Sequence, residues 1–208
     1  MHSNAPTVAR DSSIVATACA SRTTLQSTAV SLATVLGFVL LVALGAQVRV
    51  PVPGTEVPMT LQLLGVLLAG LLSTSTRAAL GLSTYLLLGI VGLPVFSPGS
   101  GGIWGPTGGY LVGFIPAAWI VGLLGSRGAA SVGRLFGSGA IGVVVVFICG
   151  TGWRIAWLAG DWRLALQTGL LPFILKAAVE LCLAVTLVVS IRCWQERCGG
   201  ADVSESTG

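Results

Sequence analysis

The stretch AVSLATVLGFVLLVALGAQV, residues 29–48, decides the fold class of this chain. It carries no charge, and at a rise of about 1.5 Å per residue its roughly 20 residues span the hydrocarbon core of a bilayer, about 30 Å thick. The whole chain of 208 residues is 54% apolar and only 9% charged, with a mean hydropathy of +0.92. Soluble domains have roughly a quarter of their residues charged. We therefore predict an all-α integral membrane protein.

Five further apolar runs complete a predicted six-helix membrane domain over residues 28–191. They lie at residues 59–72, 78–93, 107–124, 137–159 and 169–191. The second and third runs are short for a crossing, so we expect one or both to begin below the membrane surface. Residues 1–27, rich in Ser, Thr and Ala, are predicted to form a disordered tail, and residues 192–208 form a second tail.

Two segments rich in proline interrupt these runs, at residues 49–58 and 94–106. Prolines at that density cannot continue a helix. The second segment has three prolines, four glycines and no charge, so it remains apolar enough to dip into the membrane. We expect the first segment to fold inward and line a cavity, and the second to form a lid or a re-entrant loop.

The arginines predict the orientation, because short cytoplasmic loops carry an excess of positive charge. The side of the two tails holds Arg10, Arg22, Arg77, Arg127, Arg134, Arg192 and Arg197. The opposite side holds Arg49, Arg154 and Arg163, the last two in a predicted loop over residues 153–163. Both termini are therefore predicted to be cytoplasmic, and the cavity to open outward.

Several function classes lack the residues that they need. The single histidine, His2, lies in the polar tail, which excludes a histidine-based metal site or catalytic triad. The only lysine, Lys176, follows Leu-Pro-Phe-Ile-Leu and cannot belong to a Walker A loop. The net charge of +4 comes from loop arginines, so we expect no nucleic-acid partner. If the chain belongs to a pump, either another polypeptide hydrolyses the ATP or a gradient drives the transport.

Lys176 and Glu180 lie one turn apart on one face of the last predicted helix. An unpaired ammonium at this depth is costly, and Glu180 is placed to neutralise it. Ionisable residues inside a membrane usually mark substrate sites, so we favour a lysine that contacts a ligand. A purely structural ion pair and a snorkelling lysine are the alternatives.

Small residues recur every four positions into the fourth predicted helix, at Gly105, Gly109, Gly113 and Ala117. This spacing lets helix backbones approach closely. At the start of that helix, Thr107, Gly108 and Gly109 precede Tyr110, and exposed amides there suit a carboxylate or a urea oxygen. A simple helix cap, with Tyr110 as an interfacial aromatic residue, fits the composition equally well.

Two further patterns, one of small residues and one of polar residues, each have two interpretations. Ala29, Ala33 and Gly37 form a ridge on the first helix, for internal packing or for a partner helix. Thr60 and Gln62 bring hydrogen-bonding groups to the outer end of the second helix. A buried glutamine amide needs partners, whereas an interfacial one is wetted by water.

Three ordered motifs resemble the BioY family, the biotin-binding S components of energy-coupling-factor (ECF) transporters. They are VPMTLQ at residues 57–62, YLLLG at 85–89 with GLPVF at 92–96, and GPTGGYL at 105–111 followed by Gly113 and Phe114. The resemblance covers roughly residues 29–190. It implies a six-helix protein of the cell membrane that captures biotin from outside and has no cofactor and no enzymatic activity.

The resemblance also implies partners and a binding site. The partners are a transmembrane T component and two cytosolic ATP-binding subunits, and the ridge at Ala29, Ala33 and Gly37 resembles the docking motif for the T component. The family pattern maps the substrate side onto Thr60, Gln62, Tyr85, Gly105, Thr107, Gly108, Gly109, Tyr110 and Lys176. Biotin has a carboxylate, a ureido ring and an apolar remainder, for which Glu180 and Trp104 are further candidate contacts.

One departure from the family pattern concerns the last helix. The family commonly reads Pro-Phe-x-x-Gly-Asp-x-x-Lys, whereas this chain has Pro-Phe-Ile-Leu-Lys at residues 172–176 and lacks the aspartate. Glu180 is a possible substitute from the next turn. An S component for another small vitamin and a membrane scaffold with a structural Lys176–Glu180 pair are therefore the alternatives. An intramembrane enzyme ranks last, because no nucleophile and base pair is visible.

Overall fold

Helices dominate the part of the chain that the structure, a computed structural model, describes: residues 28–125 and 131–205, with side chains to Arg197. The helices are α1 (Thr28–Gln47), α2 (Gln62–Leu72), α3 (Ser75–Ile90), α4 (Gly108–Gly125), α5 (Val132–Trp157), α6 (Trp162–Gly169) and α7 (Leu171–Glu205). Two short strands, β1 (Arg49–Val50) and β2 (Met59–Thr60), pair antiparallel. The predicted tail at residues 1–27, with Arg10 and Arg22, lies outside the described residues, as does Arg127.

The six predicted apolar runs correspond to α1 to α5 and α7. Among the described residues, four stretches are long and apolar enough to cross a membrane: α1, α4, α5 and the stretch Trp162–Arg197, which takes in α6 and most of α7. As expected, α2 and α3 are shorter, with 11 and 16 residues. The prediction of an all-α, multi-pass membrane protein is confirmed.

Several predicted boundaries differ from the observed ones. The second run begins at residue 59, but Met59 and Thr60 pair with β1 and the helix starts at Gln62. The last helix does not end at residue 191, because the backbone remains helical to Glu205. The short helix α6 was not predicted. Its N-cap is Asp161, whose carboxylate accepts a hydrogen bond from the Leu164 amide at 3.0 Å.

The interpretation of Arg154 as a loop residue is wrong. Helix α5 continues to Trp157, and Arg154 lies in its last turn with only 2% of its surface exposed. Its Nη2 donates a hydrogen bond to Thr168 Oγ1 in α6 at 2.8 Å. Arg49 in β1 and Arg163 in the first turn of α6 are both exposed on the predicted outer side, and the side of the tails still carries the larger number of arginines.

The small-residue spacing in α4 serves close packing against α5, which makes the most extensive helix–helix contact among the described elements. An added Cβ at Gly113 would lie 2.8 Å from Cys149 Cβ, and one at Gly109 would overlap Trp153 Cβ. Only glycine allows the two backbones to approach this closely. The packing interpretation of this ridge is confirmed.

Both proline-rich segments fold inward at one end of the helix bundle. In the first segment, Val57 is buried, and the Thr55 hydroxyl donates to the Thr168 carbonyl oxygen at 2.7 Å. The second begins where α3 ends, at Gly92 with φ of +100°, a conformation that glycine adopts without strain. The Thr107 hydroxyl then donates to the Ser100 carbonyl oxygen at 3.3 Å. The two segments thereby cover the same end of α2, α4 and α7.

Candidate functional site

A cavity lies where the two inward segments meet the helices. Its apolar walls are Val57, Pro58, Leu63, Leu111, Phe114, Val146, Phe147, Phe173 and Ala177. The polar side chains that line it are Thr60, Gln62, Ser97, Ser100, Thr107, Tyr110 and Lys176. Mostly apolar walls with a few convergent polar groups are typical of sites for small molecules.

A chain of hydrogen bonds fixes the amide of Gln62 at the edge of the cavity. Thr60 Oγ1 donates to Gln62 Oε1 at 2.9 Å, and Gln62 Nε2 donates to the Tyr85 hydroxyl at 2.6 Å. Tyr85 in turn donates to the Val95 carbonyl oxygen at 3.1 Å. Gln62 is buried, so the alternative of a glutamine wetted at the interface is wrong.

Tyr85 is fully buried behind Gln62 and does not line the cavity. Its ring packs edge-on against Phe96, with centroids 5.4 Å apart, so it joins α3 to the inward loop. Tyr85 was predicted to face substrate. The structure instead gives it a positioning contact, because its hydroxyl holds both the Gln62 amide and the loop backbone.

We expect Tyr85→Phe to lower the free energy of unfolding by about 1–2 kcal/mol, because it leaves a buried amide N–H and the Val95 carbonyl without their partner. The measurement is thermal unfolding of the purified protein in detergent. Thr84→Val is the matched control, since the Thr84 hydroxyl bonds only to Leu80 of its own helix. Equal shifts in the two variants would contradict this role for Tyr85.

Lys176 and Glu180 form the predicted ion pair, with Lys176 Nζ 2.8 Å from Glu180 Oε2. The lysine side chain is 21% exposed and lines the cavity. Glu180 lies one turn deeper with its side chain 2% exposed, near the Leu64 amide in the first turn of α2, and it does not line the cavity. A lysine ammonium has three N–H donors, so pairing with Glu180 leaves donors for a ligand.

The two glycines at the start of α4, Gly108 and Gly109, do not line the cavity. The Gly108 amide donates to the Gly105 carbonyl at 3.1 Å, and the Tyr110 amide donates to the Thr107 carbonyl at 3.1 Å. Added Cβ atoms at Gly108 and Gly109 would overlap Ile103 and Trp153 respectively. These two glycines therefore serve packing, while Thr107 and Tyr110 do line the cavity, as predicted.

Trp104 and Gly105 also lie apart from the cavity lining. Trp104, in a single 3₁₀ turn (Gly102–Trp104), is 78% exposed. The Gly105 carbonyl accepts a hydrogen bond from Trp153 Nε1 at 3.0 Å, and an added Cβ at Gly105 would overlap the Ser100 carbonyl oxygen. The direction of the Trp104 side chain follows from Gly101, whose φ of +70° sets the turn. The sequence does not reveal that direction.

The sequence of this chain matches known proteins. Residues 17–197 match the model of the BioY family. The chain belongs to the BioY family. The biotin transporter BioY of Thermotoga maritima is 33% identical over 158 residues, covering 74% of this chain and 91% of that protein. The probable biotin transporter BioY of Pyrococcus horikoshii is 37% identical over 153 residues, covering 72% and 88%.

The fold also matches a solved structure. The crystal structure of the S component for biotin from an ECF-type ABC transporter superposes with a TM-score of 0.73 at 22% identity, covering 80% of this chain and 93% of that one. The likeness shows that this BioY chain has the S-component fold. The sequence resemblance to BioY is thus confirmed despite the missing aspartate.

Sequence reasoning named five of the sixteen residues that line the cavity of this BioY chain and missed the others, among them Ser97, Ser100, Phe114, Phe147 and Phe173. Ser97 is buried, and its hydroxyl has no hydrogen-bond partner among the described residues. Two serines in an uncharged inward loop were an available signal. Helical spacing was another, because Phe114 follows Tyr110 by four residues and Phe173 precedes Lys176 by three.

The ridge on α1 lies away from the cavity and from the rest of the fold. Ala29, Ala33 and Gly37 are all exposed, and an added Cβ at Gly37 would meet nothing within 4 Å. Internal packing therefore does not use this ridge within the part of the chain that the structure describes. Docking of a partner helix stays a prediction.

Proposed function

We propose that this chain is the biotin-binding S component of an ECF transporter, which captures biotin from outside the cell. The observation that carries the proposal is the cavity, where the Lys176 ammonium and the Gln62 amide face aromatic walls. Membership of the BioY family supports the same substrate, because the relatives from Thermotoga maritima and Pyrococcus horikoshii are named as a biotin transporter and a probable biotin transporter. The chain itself has a transport role and not an enzymatic one.

The lining of the cavity suits the chemistry of biotin. Its carboxylate and ureido oxygen accept hydrogen bonds, which Lys176 and Ser97 can donate. The ureido N–H groups need acceptors, which the hydroxyls of Thr107 and Tyr110 offer. The bicyclic ring and the valeryl chain need apolar contact, which the phenylalanine walls supply. Glu180 acts through Lys176, because it lies outside the cavity lining.

Transport requires partners in this proposal. A transmembrane T component would dock on the exposed ridge at Ala29, Ala33 and Gly37, where small residues allow close helix contact. Two ATP-binding subunits would hydrolyse the ATP, so the S component would need no cofactor of its own. The bias of arginine supports an orientation with both termini in the cytoplasm and the mouth of the cavity on the outer side of the cell membrane.

A second candidate is an S component for another small vitamin. The observation that favours it is the missing aspartate before Lys176, because that position would otherwise carry a hydrogen-bond acceptor for the substrate. The scaffold alternative makes a different prediction, since it requires no saturable ligand.

Equilibrium binding of labelled biotin to the purified protein in nanodiscs tests the proposal. We expect saturable binding of labelled biotin. Desthiobiotin should displace the labelled biotin, whereas riboflavin and thiamine should not. Trp104→Ala is the control, and its dissociation constant should change less than about twofold because the indole is exposed outside the cavity. Displacement by riboflavin or thiamine would favour the second candidate. No saturable binding by a folded protein would contradict the proposal.

A further inference from the structure

A second polar recess lies at the opposite end of the bundle, between the turn that joins α2 to α3 and the later part of α7. Arg192 is 16 residues after Lys176 on α7, which places the recess about 24 Å from the cavity lysine along the helix. The recess is lined by Leu71, Leu72, Ser73, Thr74, Arg77, Ile191, Arg192 and Gln195. Neither the binding of biotin nor the ridge on α1 involves these residues.

Two positive charges from different helices meet in this recess. Arg77 lies in the first turn of α3, and Arg192 lies on α7. Within the described residues, neither guanidinium has a recorded hydrogen bond or salt bridge. Glu196 follows Arg192 by one turn but does not line the recess. Two guanidinium groups that line one recess without a counter-charge suit an anion with several oxygens, above all a phosphate.

A buried hydroxyl at the same place gives independent support for a ligand. Ser73 is 7% exposed, and its Oγ has no hydrogen-bond partner among the described residues although it borders the recess. Buried hydroxyls are almost always paired, so this one has an unused donor. The first turn of α3 follows directly, with the Thr74 side chain as its N-cap, and the positive end of the helix dipole also favours an anion.

The walls of the recess indicate that the phosphate is attached to acyl chains. Leu72 and Ile191 line the recess and are themselves exposed on the surface of the bundle. Trp194, on the same turn of α7, is 67% exposed, as is typical of residues at the membrane interface. Basic pockets between membrane helices on the cytoplasmic side bind anionic lipid headgroups. We propose that this recess binds the phosphate of an anionic phospholipid through Arg77, Arg192 and Ser73.

Native mass spectrometry of the full chain, titrated with phosphatidylglycerol or phosphatidylcholine, tests this proposal. We expect a saturable phosphatidylglycerol adduct that Arg77→Gln/Arg192→Gln weakens by about tenfold or more. Arg197→Gln is the matched control, because it removes one charge from the same end of α7 without touching the recess, and it should change the affinity less than about twofold. Equal retention of the lipid by the double variant would overturn the proposal.

Two further measurements distinguish a lipid phosphate from free phosphate and control for misfolding. Ser73→Ala keeps both arginine charges and should weaken binding of phosphatidylglycerol by a few fold. This variant tests the site if circular dichroism shows that the double variant does not fold. Millimolar inorganic phosphate should not displace the lipid. Displacement would show a site for free phosphate and overturn the assignment to a lipid. Biotin binding should be unchanged in all these variants, so the two proposals can fail separately.

Discussion

Lys176→Met is expected to weaken biotin binding by about a hundredfold, equivalent to about 2.8 kcal/mol. The Lys176 side chain lines the cavity and is only 21% exposed, so its ammonium is positioned to donate hydrogen bonds to a ligand there. Charge-assisted hydrogen bonds are about twice as strong as neutral ones, and low local dielectric strengthens them further. Methionine keeps the length and the apolar character of the lysine stem, so the variant removes mainly the charge and the donors.

Loss of binding in this variant has two possible sources, because Glu180 loses its partner at the same time. A buried carboxylate without its counter-charge destabilises the bundle, whereas replacing both partners of a buried pair by apolar residues is often neutral. We therefore expect Lys176→Met/Glu180→Met to recover thermal stability but not biotin affinity. Dissociation constants in nanodiscs and unfolding midpoints of both variants provide the measurement. Recovery of affinity in the double variant would show that Lys176 is purely structural.

The spans of this fold could be predicted because each leaves a strong local signal. Residues 29–48 form an uncharged run of membrane length, and α1 follows it to within one residue at each end. Helix α6 left no such signal, since its 8 residues are amphipathic and far too short to span a bilayer. Arg154 was counted as a loop residue although the predicted run over residues 137–159 includes it, and its burial depends on the packing of α6 against the end of α5.

The site could be predicted only in part, for a related reason. Lys176 and Gln62 attract attention because a charged or amide side chain is unusual in an apolar run. Phe114 and Phe173 do not, because in an apolar sequence a phenylalanine of the cavity wall looks like one that faces lipid. Which apolar residue faces the cavity depends on how α4 and α7 are rotated against their neighbours. That rotation is a tertiary property.

The glycines of α4 show how one motif predicts two different roles. Gly108 and Gly109 occur in a family-like GPTGGYL motif, which suggested contact with substrate. A Cβ added to Gly108 would instead overlap Ile103, and one added to Gly109 would overlap Trp153. The motif preserves a site indirectly, since close packing of α4 on α5 places Tyr110 and Phe114 in the cavity wall.

Gly109→Ala should accordingly lower the free energy of unfolding by about 2–3 kcal/mol. The added Cβ would overlap Trp153 Cβ and lie 2.6 Å from the Cys149 carbonyl oxygen. The carbonyl belongs to the α5 backbone and has no alternative rotamer, so the two helices must move apart. The measurement is the thermal unfolding midpoint in detergent, which should fall by roughly 5–10 °C.

Gly152→Ala is the matched control for this prediction, because Gly152 lies on α5 one residue before Trp153 and an added Cβ there would meet nothing within 4 Å. Alanine is the better helix former, so this variant should be neutral or slightly more stable. If Gly109 instead bound the ligand through its amide, the alanine variant would keep that amide. Its added methyl group would then disturb ligand binding without lowering the stability of the fold. Equal midpoints for the two variants, with weaker biotin binding in Gly109→Ala alone, would therefore contradict the packing role and restore the ligand-contact interpretation.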